Sequence, residues 1–161
     1  MRERFPIVDQ IDQEIVRLLQ EDATRSVREI GEVVGLSTTP CWRRIRNLED
    51  AGVLGRRVAL VDPAKVNLAV SALVFIRTNE HSRDWLDRFI AGIDRFPEVV
   101  EAYRTSGEID YLLKVMVPDI AAYDEFYKRL IEEVDLYDVR STFVMESIKH
   151  TTALPLHYAV D

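Results

Sequence analysis

Apolar positions in the first third of the chain recur at helical spacing, and capping residues interrupt that rhythm. Ile11, Ile15, Leu18 and Leu19 share one helical face, with Asp9 placed as a cap. Val27, Ile30, Val33 and Val34 form a second stripe, opened by Ser26 with Glu29 three residues later, a capping-box pattern. Cys41, Ile45 and Leu48 form a third stripe, which Gly52 ends. Three such helices can close a small core. Val58-Ala59-Leu60-Val61 then reads as a strand, broken by Asp62-Pro63. A domain boundary is expected near residues 62–68, giving domains 1–62 and 63–161.

Beyond it the rhythm changes. Val70–Ile76 is an apolar strand. Trp85, Leu86, Phe89, Ile90, Ile93 and Phe96 make a helical stripe that Pro97 stops. Val99–Arg104 and Tyr111–Val117 read as strands joined by a turn at Gly107. Ile120, Tyr123, Phe126, Tyr127, Leu130 and Ile131 form a second helix capped by Asp119, and Val139–Ile148 is a final strand. The order is βαββαβ, a ferredoxin-like arrangement, and the whole chain is of α+β class. Right-handed crossovers put both helices on one face of a four-stranded antiparallel sheet. The other face carries apolar residues and calls for a cover, most simply a second copy.

The stretch Gly31 to Ile45, GEVVGLSTTPCWRRI, has the layout of a helix-turn-helix. Gly31 is small enough for two helices to cross closely. Gly35 can take the positive φ that ends the first of them. Leu36 is an apolar plug under the turn. Ser37 is an N-cap, and Pro40 falls in the first turn, where a missing N–H costs nothing. With the strand after it, this first domain is winged-helix-like. Such a motif presents its second helix to the major groove of double-stranded DNA.

The formal charge of −7 looks wrong for that partner, so its distribution matters more. Ser37–Leu60 holds five arginines (43, 44, 46, 56 and 57) against Glu49 and Asp50, a net +3. The acidity elsewhere weakens indiscriminate DNA binding. Apolar residues at 47% and charged residues at 30% describe an ordinary soluble domain protein. No apolar run has the length of a membrane span, and MRERFPIVDQ has no signal-peptide core. One cysteine gives no internal disulfide and no metal-binding set. A reducing cytoplasm is expected.

With both halves read, the chain resembles the Lrp/AsnC family, the feast/famine regulators. VDQIDQEIVRLLQEDAT is similar to the family's opening LDxxDxxILxxLQxDA, VGLSTTPCWRRIRNLEDAGVL to VGLSxTPCxxRVxRLExxGxI, and SGEIDYLLKV to GxxDYLLxV. The resemblance implies a DNA-binding homodimer that assembles further, often to an octamer. It also implies a C-terminal domain that binds amino acids or related effectors between subunits. Thr38 stands where the family commonly has proline, and LIEEVDLYDV replaces its LPGV turn before the last strand.

Inward placement of Cys41, Ile45 and Leu48 leaves Thr38, Thr39, Trp42, Arg43 and Arg46 outward or at the helix start. With Ser37 and Arg57 these are the candidate DNA contacts, because hydroxyls reach phosphates and arginine bonds guanine bidentately. The bland reading is a solvated arginine face with Trp42 shielding a groove. Arg44 is either a phosphate anchor or a partner of Glu49 or Glu14. Arg56, with Arg57, flanks a bend at Gly55. Cys41 reads as a small core hydrophobe. The scattered His81, His150 and His157 suggest no metal site.

The second candidate site is the turn Gly107-Glu108-Ile109-Asp110-Tyr111. Its backbone N–H groups can hold a carboxylate and Asp110 an ammonium group, which suits an amino acid. Tyr103 and Thr105 border it, and Met145 of a partner copy can complete it. From spacing alone a plain hairpin turn is the simpler reading; the resemblance favours an effector loop. No catalytic constellation is present, neither GxSxG, P-loop, HExxH nor Rossmann fingerprint, and no cofactor is expected. The expected function is a ligand-responsive transcriptional regulator. The alternatives are an architectural DNA-compacting protein without effector, or a C-terminal domain with enzymatic activity.

Overall fold

In a computed structural model that describes residues 8–134 and 136–159, the three N-terminal helices form where their caps predict. α1 spans Gln10–Glu21, and the Asp9 carboxylate accepts the Asp12 N–H at 2.8 Å. α2 spans Val27–Val34 with the full capping box: the Glu29 N–H donates to Ser26 Oγ, and the Ser26 N–H to the Glu29 carboxylate. Gly35 ends α2 at φ 72°, in the left-handed region. α3 spans Thr38–Asp50. Ser37 sits at its N-cap position but makes no side-chain capping bond, contrary to the expected cap.

Ile15, Leu18, Ile30, Cys41, Ile45 and Leu48 interlock as the core of this unit. Val33, expected on the inner stripe, is 54% exposed, because the stripe on a helix of eight residues narrows to Ile30 and Gly31. The close approach at Gly31 is to the turn: a Cβ there would lie 2.6 Å from the Leu36 carbonyl oxygen and 3.6 Å from Cys41 Cβ.

The expected strand Val58–Val61 has no regular secondary structure and no ladder partner among the described residues, and Val58, Leu60 and Val61 are exposed. A 3-10 turn follows at Pro63–Val66, ended by Asn67 in the left-handed region. Two compact units result, one running to Ala59 and regaining the chain from Lys149 on, the other Leu60–Ile148. The last stretch thus packs with the first unit. The Gln20 side-chain amide accepts the Leu154 N–H at 2.7 Å and donates to the Leu154 carbonyl at 3.2 Å, and Leu156 packs on the three-helix core.

The second unit holds strands β1 (Val70–Arg77), β2 (Val99–Arg104), β3 (Tyr111–Val117) and β4 (Asp138–Phe143) in the antiparallel order β2-β3-β1-β4. Helices α4 (Arg83–Ile93) and α5 (Ile120–Glu133) complete the expected βαββαβ order. Val74 pairs with Leu113 in the middle of the sheet. Alternation along β1 and β3 sends Ala72, Val74, Ile76, Tyr111, Leu113, Val115 and Val117 into the core with Phe89, Phe126 and Leu130. Trp85 stacks on Phe89 at 5.1 Å, and the Tyr111 ring lies 4.5 Å from Phe89.

The opposite alternation leaves Leu73, Phe75, Leu112 and Met116 half-buried. Phe96 is buried, though it follows the end of α4 in a turn. β4 stops at Phe143, short of the expected Ile148, and Met145 and Ile148 are almost fully exposed. Residues 1–7, Asp135 and residues 160–161 lie outside the described residues, and so does most of the segment MRERFPIVDQ read for a signal-peptide core. No described helix is long and apolar enough to cross a membrane.

Candidate DNA interface and effector loop

α3 is positioned from behind. Cys41, Ile45 and Leu48 anchor it in the core, and burial pushes the Cys41 thiol pKa up, so it is inert packing. Arg44 fixes the side of the helix: one Nη1 donates to Asp9 at 2.7 Å and to Asp12 at 2.8 Å. Neither Glu14 nor Glu49 is its partner, and its guanidinium is spent on α1 rather than free for a phosphate. Asp9 in turn is held below the usual carboxylate range, first by the Asp12 N–H and then by Arg44.

The face opposite that anchor is open. Ser37, Thr38 and Thr39 are exposed at the start of α3, and Trp42, Arg43 and Arg46 follow on the outer surface. Trp42 is 54% exposed, so it does not shield a groove within this unit. Arg43 makes no ion pair with a described residue. Arg46 donates to Glu49 at 3.0 Å, and Arg57 reaches the same carboxylate at 3.4 Å. The Arg46–Glu49 pair has i,i+3 spacing, although Glu49 was expected only as a partner of Arg44; Arg57 closing on Glu49 depends on the turn and bend of residues 51–54, where the expected bend was at Gly55.

The loop of the second unit is a structured hairpin. Gly107 has φ 124°, a conformation that penalises any Cβ, although the space beside it is open. The Thr105 N–H donates to the Asp110 carbonyl at 2.8 Å, and the Thr105 hydroxyl donates to the Ile109 carbonyl. Asp110 is not wholly free: its Oδ2 accepts the Thr78 N–H at 2.8 Å, tying the loop to the end of β1.

Tyr111 departs from the expected set, since its ring lies in the core at 7% exposure. Tyr103 is exposed and donates to Glu101 at 2.8 Å, a carboxylate that raises the phenol's pKa. Glu108 and Thr105 are exposed, and Ile109 is half-buried. The loop thus joins Thr105 to Ile109 and Asp110 across the turn, while Tyr103 bonds Glu101 and the Tyr111 ring lies in the core. Among the described residues no cluster of His, Cys, Asp or Glu could hold a metal ion.

Residues 8–49 match the model of the AsnC-type helix-turn-helix domain, and residues 71–154 match that of the Lrp/AsnC ligand binding domain. The chain is 48% identical to the DNA-binding transcriptional activator DecR of Escherichia coli, over 93% of this chain and 99% of that one. A crystal structure of an AsnC family transcriptional regulator from Agrobacterium tumefaciens matches with a TM-score of 0.90 and 59% identity, covering 93% of this chain and 98% of the other. A transcriptional regulator from Neisseria meningitidis, solved as its L-Met complex, matches with a TM-score of 0.89 and 36% identity, covering 94% and 99%.

Proposed function

This chain belongs to the Lrp/AsnC family of DNA-binding transcriptional regulators, and from that premise we propose which of its surfaces meet which partners. α3 lies in the major groove of double-stranded DNA. Arg43 and Arg46 address base edges there. Ser37, Thr38, Thr39 and Trp42 meet the backbone and groove wall, and Arg57 meets a phosphate. The observation that carries this reading is an exposed Arg43 with no ion pair among the described residues, next to an exposed Trp42 on the surface of α3.

The loop from Tyr103 to Asp110 takes the effector, an amino acid or a related small molecule. Its support is the exposed backbone at Gly107 near a carboxylate whose second oxygen bonds no described residue, together with the L-Met complex of the Neisseria meningitidis regulator. The half-buried sheet face around Leu73, Phe75, Leu112 and Met116 pairs two copies, and the dimers join into a larger homo-oligomer, an octamer by family resemblance. The protein works in the cytoplasm.

A thermal-shift screen of the twenty amino acids identifies the effector, because a ligand that binds only the folded state raises its stability. Gel-shift titration then tests both surfaces. Arg43→Ala is expected to weaken binding to a selected duplex by about 1–3 kcal/mol, with native circular dichroism. Gly107→Val and Asp110→Ala are expected to erase the difference in DNA affinity with and without the screened ligand. An unchanged response in both variants would leave the loop a hairpin turn and nothing more.

A further inference from the structure

Two of the three arginines assigned to DNA are already held by one carboxylate. Glu49 Oε2 accepts from Arg46 at 3.0 Å and Oε1 from Arg57 at 3.4 Å. The Glu49 side chain is 28% exposed, and the two guanidinium groups are about half exposed, at 54% and 53%. Its neighbours sharpen the point. Arg44 is committed to Asp9 and Asp12, Asp50 is exposed, and Arg43 stands on the open face without an ion pair to a described residue.

Resting on the reading that α3 faces DNA, we infer that Glu49 is a positioning residue that sets the contrast between selected and random DNA. Arg46 is one turn before Glu49 on the same helix, so the pair can persist while the guanidinium points into the groove. Arg57 lies past the helix end, so a phosphate has to displace Glu49 to engage it.

Random duplex offers phosphates without the matching base edges, and phosphates are what the internal carboxylate competes with. A matched site adds contacts to base edges that Glu49 does not compete for. The carboxylate therefore lowers binding to any duplex through Arg57 and orders Arg46 for the right one. The same pairing affects salt dependence. An arginine already neutralised inside the protein adds less net charge neutralisation when it reaches DNA, so it contributes less than its share of counterion release.

The test uses the full chain and two probes: a random-sequence duplex, and a duplex enriched from a random library by the wild-type protein. Glu49→Gln keeps the side-chain shape and removes the charge. Its affinity for random duplex is expected to rise about two- to five-fold, the scale of an exposed ion pair. Its salt slope should steepen by about one, and its preference for the enriched duplex should fall.

A purely structural role would instead weaken both duplexes together with an unchanged slope, and that result overturns the inference. Arg57→Gln supplies an independent reading. With Glu49 present it should flatten the salt slope by well under one, whereas a loss of about one full unit would mean that Arg57 was never neutralised. If the wild-type chain enriches no duplex at all, the assignment of α3 to DNA falls, and the role of Glu49 with it.

Discussion

The first unit closes its core with aliphatic side chains and Cys41 from three short helices, whereas the second stacks Trp85, Phe89, Phe96, Tyr111, Tyr123 and Phe126 between a sheet and two helices. In the first, Asp9 and Ser26 cap the starts of α1 and α2, and Arg44 on two aspartates is the polar tie between α3 and the start of α1, added to the apolar contacts. In the second, Ser82 and Asp119 cap the helices in the same way, but a sheet ladder and aromatic packing join the elements as well. A unit that must offer one whole helix face to a partner has less apolar area for its own cohesion. It is correspondingly more exposed to changes in charge and capping.

Deleting a buried ring should separate the two most strongly. Phe126 is fully buried, and Phe126→Ala is expected to destabilise the second unit by about 3–5 kcal/mol. Denaturation followed by the buried Trp85, in a Trp42→Phe background, measures it. A cost below about 1 kcal/mol would mean that the aromatic stack does not dominate this core.

The converse change is Gly31→Ala. Its new Cβ would meet the Leu36 carbonyl oxygen at 2.6 Å, so backbone has to move. A loss of about 1–3 kcal/mol is expected in the first unit alone. Amide hydrogen exchange should quicken in α2 and α3 and stay unchanged in β1 and β3. Equal quickening in both units would dissolve the comparison.

Acid gives the smallest effect. The folded-state pKa of Asp9 is depressed below its ordinary 3.8 by the Asp12 N–H and then by Arg44. Its stabilising contribution is therefore fully present above that ordinary value and lost as pH falls through the depressed one. Helix α1 should loosen in that acidic window, and Asp9→Asn should flatten the pH dependence of exchange there. The same dependence in the variant would assign the effect to another carboxylate, of which Glu29 is the nearest in kind.

Where local chemistry decides, the sequence was readable. Asp9, the Ser26–Glu29 box, Gly35 and Asp119 mark helix ends through bonds that span three residues or a single φ angle. Tyr111–Val117 was legible as a strand, its faces unassigned; period-two alternation along it places Tyr111 inside with Leu113 and Val115. The family resemblance was carried by motifs on these same elements.

What escaped depends on distant partners. Val58–Val61 has strand composition but pairs with no strand among the described residues, and β4 ends at Phe143 opposite Ala72 although β1 runs on to Val70. The Asp110–Thr78 bond joins residues 32 apart, and the Arg44–Asp12 contact likewise, so neither spacing betrays it. For the DNA face, the candidates were legible as exposed positions; that Glu49 holds two of them was legible only by half.

The clasp of Gln20 on Leu154 sets an order of events on the ribosome. These residues are 134 apart in sequence, so α1 emerges long before the strand of chain that finishes its surroundings. At about 5–20 residues per second the delay is roughly 7–27 s. Throughout it, the helices that will read DNA are made but lack their last packing segment, while all of the second unit is being synthesised. The part of the chain that is translated first is thus the part completed last, and a nascent regulator acquires its finished DNA-binding unit only after its ligand-binding unit has been made.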